Sequence, residues 1–86
     1  MQRGIAMSDM MRLRWRCRRG QKELDIVMNR YLEQVYTDAE PSQKAAFEEL
    51  LLVEDPTIID LLMERIDAQN PEQQILLDKL RTIMAL

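Results

Sequence analysis

From Leu24 to Met84 the apolar residues recur at intervals of three and four, and Pro41, Pro56 and Pro71 stand where one run gives way to the next. That spacing is the signature of helices with one buried stripe, since a half-buried strand would alternate with period two. Leu24, Val27 or Met28, Tyr31 and Val35 form the first stripe, with Asn29, Arg30, Glu33 and Gln34 between them. They predict a helix of roughly four turns. Thr37 to Ser42 interrupts the pattern, and Pro41 suits the first turn of a helix carrying Ala46, Phe47, Leu50, Leu51 and Val53. At Asp55-Pro56 the aspartate oxygen is expected to cap free backbone N–H groups of a helix bearing Ile58, Ile59, Leu62 and Ile66. Asn70-Pro71 repeats the device, with Gln73 three residues on as in a capping box, before Leu76, Leu77, Leu80 and Met84.

The stretch from Met11 to Arg18 obeys a different rule, alternating apolar and cationic residues as a strand with one wet face would. No other stretch offers it a partner strand, and an unpaired strand leaves its backbone donors and acceptors unsatisfied. In a helical chain it therefore reads as a short helix of about two turns, with Met11 and Trp15 on one side. Gly20 follows Arg18 and Arg19 as a helix stop would: cations at the negative helix end, then a residue that tolerates positive φ.

Eighty-six residues form one domain. The fold class expected is all-α, a small single-domain bundle of about five helices over residues 9–86, with residues 1–8 disordered for want of a stripe to bury. No apolar run is longer than the four residues of Leu50 to Val53, far short of a membrane span. The N-terminal residues lack the apolar stretch of a signal peptide, so a cytoplasmic location is expected. There is no histidine and one cysteine, Cys17, which removes the usual zinc sites, His-based nucleophile pairs and structural disulfides. Cys17 itself reads as a small buried apolar residue. Charge is polarised along the chain: +5 over residues 1–30 and −8 over residues 31–86, within a total of −3. A basic end on an acidic body fits an acidic or mixed protein surface better than nucleic acid or anionic lipid.

The residues from Arg12 through Trp15, Cys17, Arg18, Arg19, Gly20 and Glu23 to Asp25 resemble the signature of the bacterial flavinylation-factor family, SdhE, whose mitochondrial relative is succinate dehydrogenase assembly factor 2. The resemblance continues through Tyr36, Phe47, Leu50, Leu51, Asp55, Pro56 and Met63, and centres on an Arg-Gly-x-x-Glu motif, here Arg19, Gly20 and Glu23. It implies a helical bundle that is not an enzyme. Such a factor binds the flavoprotein subunit of succinate dehydrogenase or fumarate reductase and promotes covalent attachment of FAD to a histidine of that subunit. By the same resemblance Arg19, Gly20 and Glu23 touch the partner, with Arg12, Trp15, Arg18 and Asp25 beside them. No cofactor is expected to stay on this chain, since FAD belongs to the partner flavoprotein, and a monomer with neither nucleic acid nor membrane insertion is implied.

Plainer roles stand beside these. Gly20 can be a helix stop only, Glu23 and Asp25 can complement the positive end of the second helix, and Trp15 can be a core residue. Arg19 is expected to be an exposed charge whose loss costs the fold under about 1 kcal/mol. The alternative function is a small arginine-rich RNA-binding protein, in which the arginines neutralise phosphates and Trp15 stacks on a base. The acidic body speaks against it.

Overall fold

A computed structural model describes the backbone of residues 5–85 and the side chains of residues 10–85. Among the described residues there are five α-helices and no strand: α1 (Ile5–Arg16), α2 (Lys22–Gln34), α3 (Pro41–Leu50), α4 (Asp55–Leu62) and α5 (Pro71–Met84), with a 3₁₀ turn at Tyr36–Asp38. The all-α class is as expected, and the alternating first segment is helical, over twelve residues rather than two turns. The expected disorder of residues 1–8 falls on residues 1–4, outside the described residues, and on the first turn of α1, whose side chains lie outside them as well.

The predicted stripes build the core. Leu24, Val27, Met28 and Tyr31 of α2, Phe47 and Leu50 of α3, Ile58 of α4 and Leu76, Leu77 and Leu80 of α5 are all sealed from solvent, with Cys17 among them. Phe47 sits at the centre, its ring 4.4 Å from that of Tyr31 and 5.7 Å from that of Tyr36. Each such side chain contributes about 1.5 to 3 kcal/mol by leaving water. Helix α5 lies against α2, α3 and α4, and α1 is held mainly by α2.

Pro41, Pro56 and Pro71 each stand in the first turn of a helix, where their missing N–H has no partner to lose. Asn70 caps α5 as predicted, accepting from Gln73 N–H at 2.8 Å, while the Gln73 side chain accepts from Gln69 N–H at 2.8 Å.

Two helix ends depart from the sequence reading for one reason: an arginine from elsewhere in the chain closes them. After α3, the carbonyls of Leu51 and Val53 accept from the Arg19 guanidinium at 2.8 and 2.6 Å. In the last turn of α4, those of Leu61 and Leu62 accept from Arg81 at 3.0 and 2.8 Å. A cation at this end also meets the negative pole of the helix dipole. Helix α4 stops in a Schellman turn, with Arg65 N–H bonded to the Asp60 carbonyl at 2.8 Å and Glu64 N–H to that of Leu61 at 3.2 Å. Glu64 takes the left-handed conformation usually left to glycine, with φ of 61°. Ile66, expected on the α4 stripe, consequently lies beyond the helix and is exposed. Asp55 does not cap α4 either. It is the first residue of the helix, and its carboxylate reaches across to the α1–α2 junction.

Candidate functional site

The Arg19-Gly20-x-x-Glu23 motif occupies the junction where α1 ends and α2 begins. Its inner side is fully bonded. Arg19 uses Nε on Asp55 Oδ1 at 2.7 Å, Nη1 on the Arg16 and Leu51 carbonyls at 2.9 and 2.8 Å, and Nη2 on the Val53 carbonyl at 2.6 Å. Its side chain is only 10% exposed and that of Asp55 18%. Arg19 is therefore not the exposed charge the basic run suggested. It is the bolt that joins α1 to the α3–α4 turn.

Two aspartates also hold the junction backbone. Arg19 N–H donates to Asp25 Oδ2 at 3.4 Å and Gln21 N–H to Asp55 Oδ2 at 3.2 Å, and Gly20 N–H faces the same Asp55 carboxylate. Asn29 ties this layer to α2, donating to Asp25 Oδ1 at 2.9 Å and to the Cys17 carbonyl at 3.4 Å. Burial alone would raise the Asp55 pKa. The Arg19 hydrogen bond, the N–H groups of Gln21 and Gly20, and the Arg19 charge outweigh it and hold that pKa below its ordinary value of 3.8. Cys17 is buried as expected. Burial, with a smaller contribution from Asp25 and against the charges of Arg19 and Arg14, pushes its thiol up to about 11, so it stays protonated and unreactive.

Gly20 has no positive φ, contrary to the helix-stop expectation. The two aspartates fix the turn from below and no left-handed residue is needed. A Cβ added at Gly20 would meet only Asp55 Oδ2 at 3.7 Å, an ordinary contact. Neither the conformation nor the interior of the fold demands glycine here.

The outer side is open. Trp15 is 69% exposed, which settles its placement outside the core, and the Arg18 guanidinium lies over its ring at 5.1 Å from the centroid. Gly20 and Glu23 are exposed next to them in the chain, and Glu23 opens the first turn of α2, where a carboxylate complements the helix dipole. Arg12 lies apart, lining a hollow with Leu13, Arg16, Tyr36 and Glu48. Of the seven residues singled out in the sequence, Arg19 and Asp25 are thus bonded within the junction, Trp15, Arg18, Gly20 and Glu23 are exposed, and Arg12 lines the hollow beside Tyr36 and Glu48. Sequence reasoning missed Asp55 and Asn29 as builders of this site. The Asp-Pro pair was legible, but only as a local helix start.

A family model described as flavinator of succinate dehydrogenase matches residues 11–84. The chain belongs to this flavinator family. Relatives called FAD assembly factor SdhE include one from Mannheimia succiniciproducens, 41% identical over 75 residues, which covers 86% of each chain. One from Methylococcus capsulatus is 37% identical over 78 residues, covering 91% of this chain and 94% of the relative. One from Idiomarina loihiensis is 36% identical over 67 residues, covering 78% and 74%. No solved structure matches the chain. The flavinator match spans both sides of the junction and all the core stripes, so site and scaffold belong to it together.

Proposed function

We propose that this chain is a non-enzymatic assembly factor that binds the flavoprotein subunit of succinate dehydrogenase, or of fumarate reductase, and promotes covalent attachment of FAD to it. The observation that carries this reading is the flavinator match across residues 11–84, reinforced by relatives bearing the FAD assembly factor name over most of their length. The chemistry of the junction supports a binding role. An exposed tryptophan beside an arginine is the composition of an interface hot spot, and a backbone already fixed by Arg19, Asp25 and Asp55 loses little entropy when a partner docks.

In this reading Trp15, Arg18, Gly20 and Glu23 touch the flavoprotein, and Arg19 and Asp25 hold them in place. Gly20 lets the partner approach bare backbone. Arg12 extends the surface along α1. The factor acts by preferring one conformation of the flavoprotein, whose population rises by the differential binding energy. FAD and the bond-forming groups stay with the flavoprotein, and the encounter takes place in the cytoplasm with the factor as a monomer. Among the described residues no helix is long and apolar enough to cross a membrane. The RNA-binding alternative gains nothing from the relatives, and Arg19, needed there as a free phosphate ligand, is bonded inward.

Covalent flavin fluorescence of the dehydrogenase subunit in denaturing gels tests the proposal, in cells lacking the factor and supplied with this chain. Restored fluorescence, and capture of the flavoprotein by the chain, is expected. Unrestored fluorescence, with RNA as the captured species, would reject it.

A further inference from the structure

Two apolar hollows flank the motif carboxylate. One, of about 190 Å³, lies where α2, α4 and α5 meet, lined by Gln21, Glu23, Leu24, Ile59, Leu62, Met63 and Met84. The other, of about 240 Å³, lies between α2 and the end of α5, lined by Glu23, Ile26, Val27, Arg30, Ile83 and Met84. Glu23 and Met84 line both, so the two hollows adjoin at these side chains. Ile26 and Met63, one at each hollow, are 43% and 53% exposed. Within the chain these two contribute little to the core, yet they stand beside half-buried Ile59, Ile83 and Met84 on one continuous apolar surface.

From this arrangement we infer that the surface around Met84 is a second contact for the flavoprotein subunit, taking two apolar side chains of that partner, one in each hollow, with a cation of the partner against Glu23. The inference rests on the assembly-factor reading and extends its surface from the α1–α2 junction down the face of α2. Charge selects the occupant. Glu23 is exposed and forms no ion pair among the described residues; the larger hollow also carries Arg30, but in the hollow next to the junction Glu23 is the only charged residue of the lining, so a partner cation is favoured there. Continuity adds to this: Glu23 lies three residues from Gly20, so one partner segment crossing the junction enters the groove without a break. Met84 suits a lining shared by two hollows that must fit different side chains, because an unbranched thioether adapts its shape at low cost.

The test uses the full chain and the purified flavoprotein subunit. Ile26→Asp and Met63→Asp place a charge in each hollow, and Ile26→Ser and Met63→Ser do so more gently should an aspartate variant fail to fold. Ile75→Asp, at an exposed isoleucine of α5 that lines neither hollow, is the control. Thermal melting within the wild-type range, a loss of affinity of tenfold or more for folded Ile26 and Met63 variants, recovery with Ile26→Val and Met63→Leu, and unchanged affinity for Ile75→Asp are expected. Folded variants within threefold of wild type would overturn the groove and leave the assembly-factor reading standing. Absence of binding by the wild-type chain itself would overturn both. Variants that keep flavoprotein affinity but lose self-association would give the groove to a second copy of the chain, which also overturns the inference.

Discussion

Arg19 and Arg81 perform the same task at the ends of two consecutive helices, and they differ in what surrounds them. Each guanidinium donates to two carbonyls far away in sequence, Arg19 in the turn after α3 and Arg81 in the last turn of α4. The carboxylate facing Arg19 is largely enclosed, with Asp55 at 18% exposure, whereas those facing Arg81 are open, with Asp78 at 63% and Glu64 at 74%. Asp55 also binds the junction backbone, so the Arg19 cluster fixes the chain beneath the exposed Gly20 and Gln21. Among the described residues the Asp78 carboxylate accepts otherwise only from the exposed Gln74 side chain, one turn away on the same helix, and the Glu64 carboxylate pairs with Arg81 at 3.7 Å. The difference teaches that an arginine inside a basic run can serve the fold rather than the surface; on the proposed function it would aid binding by making the backbone above it rigid, without touching the partner.

The comparison is sharpest under truncation. Arg19→Ala leaves Asp55 and two turn carbonyls without their donor in a part-buried setting, and should cost about 3 kcal/mol, measured by urea unfolding. Arg81→Ala exposes its carboxylate partners to water that already reaches them, and should cost about 2 kcal/mol. It should reduce flavoprotein capture only through the folded fraction. Equal costs for the two would break the distinction between enclosed and open clusters.

Acid separates them next. The folded-state pKa of Asp55 is depressed, so its stabilisation is fully present above the unfolded carboxylate pKa and is lost as pH falls through the lower folded value. Wild-type stability should therefore decline as pH drops below the ordinary carboxylate value of 3.8, and Asp55→Asn should flatten that limb relative to its own neutral-pH value, as acid unfolding followed by circular dichroism would show. An unaltered acid limb in Asp55→Asn would show that the Arg19 pair is not the titrating unit. A smaller effect with the opposite sign belongs to the α4 end. Glu64 is in the left-handed region, so Glu64→Gly should raise stability by about 0.5 to 1 kcal/mol in a thermal melt and leave capture untouched.

Much of this architecture was legible in the chain because it depends on neighbours a few residues apart. The stripes of α2, α3 and α5, the three prolines and the Asn70 cap are local patterns, and the residues that carry them are buried or bonded as their spacing requires. What escaped depends on distant pairs. Arg19 looks like its neighbours in a basic run, and its burial is decided by Asp55, thirty-six residues away. Asp55 looks like a cap because Asp-Pro usually is one, yet its carboxylate is drawn off by Arg19 and two junction N–H groups. The end of α4 carries no glycine to announce it, since Arg81 and a left-handed Glu64 close it instead, and Ile66 is left outside. Trp15 was ambiguous because a helix of alternating apolar and cationic residues has no single apolar side, and the buried one takes Cys17.

Gly20→Ala tests most directly whether the junction has a bonded interior that serves the fold and an open exterior that serves recognition. The backbone is not left-handed at Gly20 and the added methyl meets only Asp55 Oδ2 at 3.7 Å. Melting and flavoprotein capture are measured on the same preparation. We expect a melting temperature equal to wild type or slightly higher, since alanine restricts the unfolded chain by about 0.4 to 1 kcal/mol where its conformation fits, together with strongly weakened capture and lost flavinylation. A lowered melting temperature with capture intact would contradict that division and return Gly20 to the scaffold.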